Sequence, residues 1–218
     1  MRRIVIILTI SASIYPCFAG INGSVRIAAI RVSFLADDSP GTTGNGSFLL
    51  NAPIDTCGRY TIDPVPHDRS YFESQLVAVN NYFRSVSYGK FGLDLDQSIV
   101  FPLSDENSYV LPKTMDYYHP YNQTDIHDQR VTELFRDALE TAYNDDEIDF
   151  SNFDHVVIFH AGIGQDFSLP FLDPTPEDIP STFIDDDMLQ EFVGGMLQFG
   201  TVTINQGIIL PETQNHLF

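Results

Sequence analysis

The sequence predicts an α/β (α+β) fold, a mixed twisted sheet with helices packed on it. Three observations carry this reading. Residues 25–35 are β-branched and apolar with interleaved small and polar side chains, the pattern of a long strand. Two segments, about 68–88 and 125–143, repeat apolar residues at helical spacing. His155-Val156-Val157-Ile158-Phe159-His160 is apolar on both faces, as in a central strand lying under helices. With 218 residues, 43% of them hydrophobic, the chain can bury one domain-sized core. Its 17 Phe and 10 Tyr argue against a disordered acidic tail.

The elements can be justified in order. Residues 25–35 give a strand with one well-buried face, and residues 37–46, rich in Asp, Ser, Pro, Gly, Thr and Asn, give a turn-rich loop. Phe72, Leu76, Val79, Phe83 and Val86 form one apolar stripe on the first helix. Ser70 with Glu73 offers a capping box, Asp68 is an equally good N-cap, and Gly89 stands where a helix C′ glycine belongs. Residues 91–101 alternate as a strand, with Phe91, Leu93 and Leu95 on one face and Gly92, Asp94 and Asp96 on the other. Residues 109–111 are a short extended piece, and residues 115–124 a loop of Tyr, His and Pro.

The second helix carries the stripe Val131, Leu134, Phe135, Ala138, Leu139 and Ala142, and Asn144-Asp145-Asp146-Glu147 ends it. The buried strand that follows is broken at Gly162 and Gly164. A proline-rich loop at 169–180 leads to a short acidic helix at 182–192, stopped by Gly194-Gly195. Residues 201–204 and 208–210 read as two strands joined by the tight turn Asn205-Gln206-Gly207. The carboxylates Asp185-Asp186-Asp187 read as a solvated helix face.

Charge excludes several classes of function. The formal charge is −19, and no run of Lys or Arg exceeds Arg2-Arg3. A nucleic-acid surface needs a basic face to release counterions, so nucleic acid is not a partner, and an anionic membrane surface would repel the chain. Residues 1–19 read as a signal peptide: the charged Met1-Arg2-Arg3, a short apolar stretch at 4–14, then Cys17-Phe18-Ala19 with small residues at −3 and −1. That stretch is too short for a membrane anchor, so no stable membrane insertion is expected. A lipoprotein reading through Cys17 is disfavoured by the bulky or rigid Ile14, Tyr15 and Pro16. Cleavage after Ala19 would export residues 20–218, secreted or periplasmic, with the charge moved from −19 to −21 by loss of the two arginines. It would leave Cys57 as a lone cysteine that forms no internal disulfide.

The chemistry-bearing residues are sparse. The six histidines are 67, 119, 127, 155, 160 and 216, and none heads a His-Glu-x-x-His. A zinc peptidase helix needs two His four apart with Glu beside the first as base, so no catalytic residue and no zinc ligand is assigned. His155 and His160 lie five apart and point to opposite faces of a strand. His160, followed by Ala161-Gly162-Ile163-Gly164-Gln165-Asp166, is the candidate substrate contact at a strand end; the alternative is a strand-end histidine bonded to a loop. Gly162-x-Gly164-x-Asp166 matches half of a calcium-binding nonapeptide, and Asp94-x-Asp96 starts like an EF-hand loop but lacks its glycine and distal glutamate. Asp37, Asp38 and Asp166, in loops beside strand ends, are the candidate calcium ligands. Tyr117, Tyr118, Tyr121 and His119 either line a peptide groove or pack over the core, and Asn22, Asn45 and Asn122 head glycosylation sequons that matter only on a eukaryotic secretory route.

Several segments together resemble the secreted M6 metallopeptidases of the immune inhibitor A type. They are Ile30-Arg31-Val32-Ser33-Phe34 with the loop at 37–46; Pro66-His67-Asp68-Arg69-Ser70-Tyr71-Phe72; Ser85-Val86-Ser87-Tyr88-Gly89; Phe153-Asp154-His155-Val156-Val157-Ile158-Phe159-His160-Ala161-Gly162; and Gly207-Ile208-Ile209-Leu210-Pro211-Glu212-Thr213. The resemblance implies the upper lobe of a zincin-like domain, acting on a protein or peptide substrate held by strand addition along an edge strand. It implies zinc as the cofactor of the full-length family, with the His-Glu-x-x-His helix after the segment at 207–213. The sequence given ends at Phe218, so residues 20–218 would be the amino-terminal part of such a peptidase domain, inactive as given. The alternative is a secreted noncatalytic domain that binds calcium or a partner through its acidic loops.

Overall fold

The computed structural model describes residues 22–51, 63–165 and 173–214. The signal-peptide reading, Cys57, Asp166 and His216 lie outside the described residues.

The sheet is built on two largely buried strands. β2 (Ile27–Ser33) is buried at all seven positions, and β6 (His155–Ile163) runs parallel beside it. On the far side of β6 lies β10 (Gly207–Thr213), also parallel, followed by the antiparallel edge strand β7 (Thr182–Ile184). On the other side β2 pairs in parallel with β4 (Ile99–Phe101) and, further along, with β5 (Tyr109–Val110). The order is therefore β4-β2-β6-β10-β7, a mixed six-stranded sheet once β5 is included. Parallel strands joined by helices carry helices on both faces, which is why β2 is buried on two faces where the sequence suggested one.

Arg31 shows how the core tolerates a charge. It sits fully buried on β2, and its guanidinium donates to the carbonyls of Pro102 (3.1 Å), Ser104 (2.6 Å) and Asp105 (3.0 Å). Burial, then repulsion from Arg69, brings its pKa down to about 10. The guanidinium keeps its hydrogen bonds by binding the loop that follows β4.

Two helices flank the sheet. α1 (Arg69–Val86) starts at Asp68, whose carboxylate accepts from Tyr71 N at 3.1 Å; Asp68 is thus the N-cap. Phe72 and Leu76 are buried, and the Phe72 ring lies 4.8 Å from Phe159. The rest of the expected stripe, Val79, Phe83 and Val86, is exposed: α1 enters the core through Phe72 and Leu76 and otherwise runs mainly along β4 and the short β3 (Phe91–Leu93). α3 (His127–Asp146) crosses the opposite face, and its whole predicted stripe is buried. The loop before it contains a turn of helix, α2 (Met115–Tyr118).

Four expected elements are rearranged. The strand at 25–35 divides: β1 (Gly23–Val25) leaves to pair with β3 in a separate two-stranded sheet. The strand at 91–101 is really β3 and β4, because the Asp94 carbonyl accepts from Ser98 N (2.8 Å) and closes a turn between them. The acidic helix at 182–192 is the edge strand β7 followed by α4 (Asp186–Phe192), which Asp185 caps by accepting from Met188 N. The predicted hairpin is absent: β9 (Val202–Ile204) pairs with β8 (Leu197–Phe199), while β10 enters the main sheet. Gly207 is what lets β10 lie there, since a Cβ would strike the Phe135 ring of α3. No helix among the described residues is long and apolar enough to cross a membrane.

Candidate functional site

Ligands of open parallel sheets gather where strands release into loops at their carboxyl ends. In this chain β2, β6 and β10 end together, and three loops close over them. The 37–46 loop is tied to β2 by Phe34 N donating to the Gly46 carbonyl (2.8 Å), and to the 173–178 loop by Glu177 N donating to the Gly41 carbonyl (2.8 Å). Asp178, almost fully buried, accepts from Thr43 N (2.6 Å) and from the Thr43 hydroxyl (2.5 Å). Burial raises its pKa against those hydrogen bonds. Glu177 accepts from Tyr121 N (3.1 Å), which brings in the third loop.

The strongest polar cluster joins segments far apart in the chain. Glu212, buried near the end of β10, accepts from Leu49 N (2.7 Å), from Gly162 N on β6 (2.9 Å) and from His67 Nδ1 (2.6 Å). His67 Nε2 lies 3.2 Å from the Asp63 carbonyl, so both ring nitrogens face acceptors. An imidazolium with two N–H donors satisfies both. Burial lowers the His67 pKa, but the hydrogen bond to Glu212 and its charge more than offset this, and the pKa is raised. Tyr71 stacks on His67 at 4.2 Å and donates to the Glu212 carbonyl (3.1 Å); burial, with the charges of Asp63 and Glu212, pushes its pKa up to about 12. Tyr71, Glu212, Asp63, Phe159, Ser181 and Leu210 border a hollow of about 300 Å³ on this face of the sheet.

Beyond the hollow lies β7. In register, Phe183 pairs with Ile208, which pairs with Val157, so the three share a face. Val157 is covered, whereas Phe183 (56% exposed) and Ile208 (39%) are not. The β10–β7 end of this face is therefore an apolar surface open to contact.

A second cluster lies under the opposite face. His160 is fully buried, with its ring 6.0 Å from Phe34 and its Nδ1 2.9 Å from the Ala161 carbonyl. It belongs to the core packing at the strand end and does not reach the surface. The His119 and His127 rings lie 4.1 Å apart, tilted by 40°, and His127 Nε2 bonds the Pro120 carbonyl (2.9 Å). His119 is buried with Nδ1 unpartnered; desolvation, then the neighbouring His127, brings its pKa down to about 4.

The other expected site residues do not meet. Asp37 is half-buried and spends one carboxylate oxygen on Ser39 N (2.8 Å), while Asp38 is exposed. Among the described residues no three His, Cys, Asp or Glu are gathered where one metal ion could be held. Of the aromatic loop, Tyr118 and His119 pack into the core and Tyr121 stays exposed. The Glu212–His67 pair has no local signal, because its partners are 145 residues apart. The edge strand was hidden by its three-residue length beside an acidic helix. Set beside known proteins, the chain matches no family model and no curated protein, so the reading of this site rests on its own geometry.

Proposed function

We propose that residues 20–218 form the amino-terminal, upper-lobe part of a secreted zinc-dependent metalloendopeptidase, and that β7 is the strand along which an extended peptide substrate lies. One observation carries the reading: an otherwise parallel sheet ends in a short antiparallel edge strand beside an open apolar face. The outer backbone groups of an edge strand have no ladder partner and can take up an extended peptide by strand addition. Phe183 and Ile208 would then lie under what packs next to that peptide, a helix entering after β10 included.

Each described group has a task in this reading. The backbone of β7 fixes the direction of the peptide. The His67–Glu212 pair clamps the end of β10 to β6 and to the start of α1, so that the chain beyond β10 leaves from a rigid point. The described residues do not fit a zinc site, and no chemical step is assigned to them. Zinc ligands and general base belong beyond Phe218, and this portion alone binds peptide without cleaving it.

The test is to read the coding sequence past codon 218 and express the extended protein. His-Glu-x-x-His is expected within a few tens of residues, with casein hydrolysis by the extended protein. Phe183→Asp in that protein should raise KM and leave kcat in place, since it disturbs peptide seating only. A genomic stop with no such motif in any downstream frame overturns the reading in favour of a noncatalytic binding domain.

A further inference from the structure

The C-terminal end of α3 runs against two local preferences. A helix C-terminus favours cations, yet α3 ends in Asp145, Asp146 and Glu147 and has no basic residue in its last turn. The left-handed cap position favours Gly or Asn, yet Glu147 occupies it at φ 49°, ψ 43°. Nothing nearby in the chain balances these charges, because no Lys or Arg occurs between Asp137 and Phe218.

These carboxylates border a groove. Between the end of α3 and the β8–β9 hairpin lies a hollow of about 570 Å³, lined among others by Tyr143, Glu147, Asp149, Phe150 and Phe199. An adjoining hollow of about 280 Å³ shares Tyr143 and Phe199 and adds Glu140. The floor is the half-buried Tyr143, backed by the buried Phe199 (5.3 Å away), which packs 5.1 Å from Phe150. The rim is anionic, with Glu140, Glu147 and Asp149 all exposed.

An aromatic floor under a carboxylate rim complements a cation on an aliphatic stem. The rim pairs with the charge, and the stem covers the apolar surface that Tyr143 leaves open. We propose that this groove docks a lysine-bearing segment of a partner protein, with the side-chain stem over Tyr143 and the ammonium at Glu147 and Asp149. The groove stands at the opposite end of α3 from His127, about 30 Å away for a helix of 20 residues, and the proposal does not depend on the peptidase reading.

The test titrates the full chain, followed by NMR, with acetyl-trilysine amide, and with the triglutamate and trialanine peptides as controls. Trilysine is expected to move the resonances of Tyr143, Phe199, Gly200 and Thr201, and the controls are expected to move none. Glu147→Asn should weaken binding about fivefold, the worth of one exposed ion pair. The same variant should raise Tm, because Asn tolerates the left-handed cap and removes an anion from the helix end. Weaker binding therefore cannot be ascribed to unfolding. Asp187→Asn, which removes an exposed carboxylate on α4, should leave binding unchanged. Equal loss in the two variants, shifts scattered over the acidic surface, or equal binding of trialanine would overturn the proposal. So would calcium ions alone reproducing the groove shifts, which would make this a cation site and not a docking surface.

Discussion

At the scale of single residues, His119 is a histidine held in its neutral form by burial. It is 7% exposed, its ring is tilted against that of His127, and Nδ1 lacks a partner. A proton there would place a cation in the core against a second imidazole, with His160 on β6 a further unfavourable neighbour and only backbone hydrogen bonds at Asp178 and Pro176 in its favour. The linkage follows. The folded pKa, about 4, lies below the ordinary 6.5, so the unfolded chain takes up the proton first as pH falls. Stability is full above about 6.5 and declines from there to about 4, by on the order of 3 kcal/mol in all. Urea unfolding across that range should show the wild type losing more stability than His119→Phe. Parallel profiles would mean that the histidine opens to solvent without cost. Such a residue was legible only in part: the sequence put His119 in an aromatic loop, and the ring contact that buries it depends on where α3 begins.

At the scale of elements, legibility followed the length of the pattern. α3 repeats its stripe over about three turns, and every predicted core position is buried. β6 was recognisable because it is apolar on both faces. The alternation at 91–101 misled because it continues through a turn, where Asp94 accepts from Gln97 Nε2 and Asp96 faces solvent. The two C-terminal strands misled because a plausible turn lay between them, although β9 and β10 have different partners. What locks these pieces together is equally non-local. Glu212 of β10 holds β6 through Gly162, the segment before α1 through His67, and the 37–51 stretch through Leu49. Glu212→Ala would leave three donors without their acceptor, one of them the buried imidazolium of His67. Breaking a buried pair from one side costs about 3–5 kcal/mol. Denaturant unfolding near neutral pH should register a loss of that size, and a loss under about 1 kcal/mol would show that water or a neighbour replaces the carboxylate. The raised pKa of His67 sets the direction with pH: the pair's contribution is complete below about 6.5 and disappears as pH rises through the folded value.

At the scale of the whole molecule, charge dominates. The net −19 is unevenly placed, since the last 82 residues contain no Lys or Arg. Some of the few cations are already used in pairs such as Arg26–Asp154 (2.9 Å) and Arg130–Glu133 (2.7 Å). The remaining carboxylates repel one another over a screening length that shrinks from about 30 Å at 0.01 M salt to about 8 Å at 0.15 M. Tm should therefore rise with sodium chloride over this range. Calcium, for which the sequence offers Asp37, Asp38 and Asp166 as candidate ligands, should raise it further at matched ionic strength only if those carboxylates converge on one ion. The two effects differ in form. Screening depends on ionic strength alone, whereas site binding stabilises by mass action, about 2.7 kcal/mol at a hundredfold excess over Kd. Asp37 already gives one oxygen to Ser39 N, so a calcium ion would have to use its other oxygen, which is buried and without a protein partner among the described residues. Asp37→Asn should then abolish the calcium-specific increment while leaving the response to sodium unchanged. If calcium and sodium at equal ionic strength give equal Tm, the three aspartates are not calcium ligands, and the acidic surface acts through its field alone.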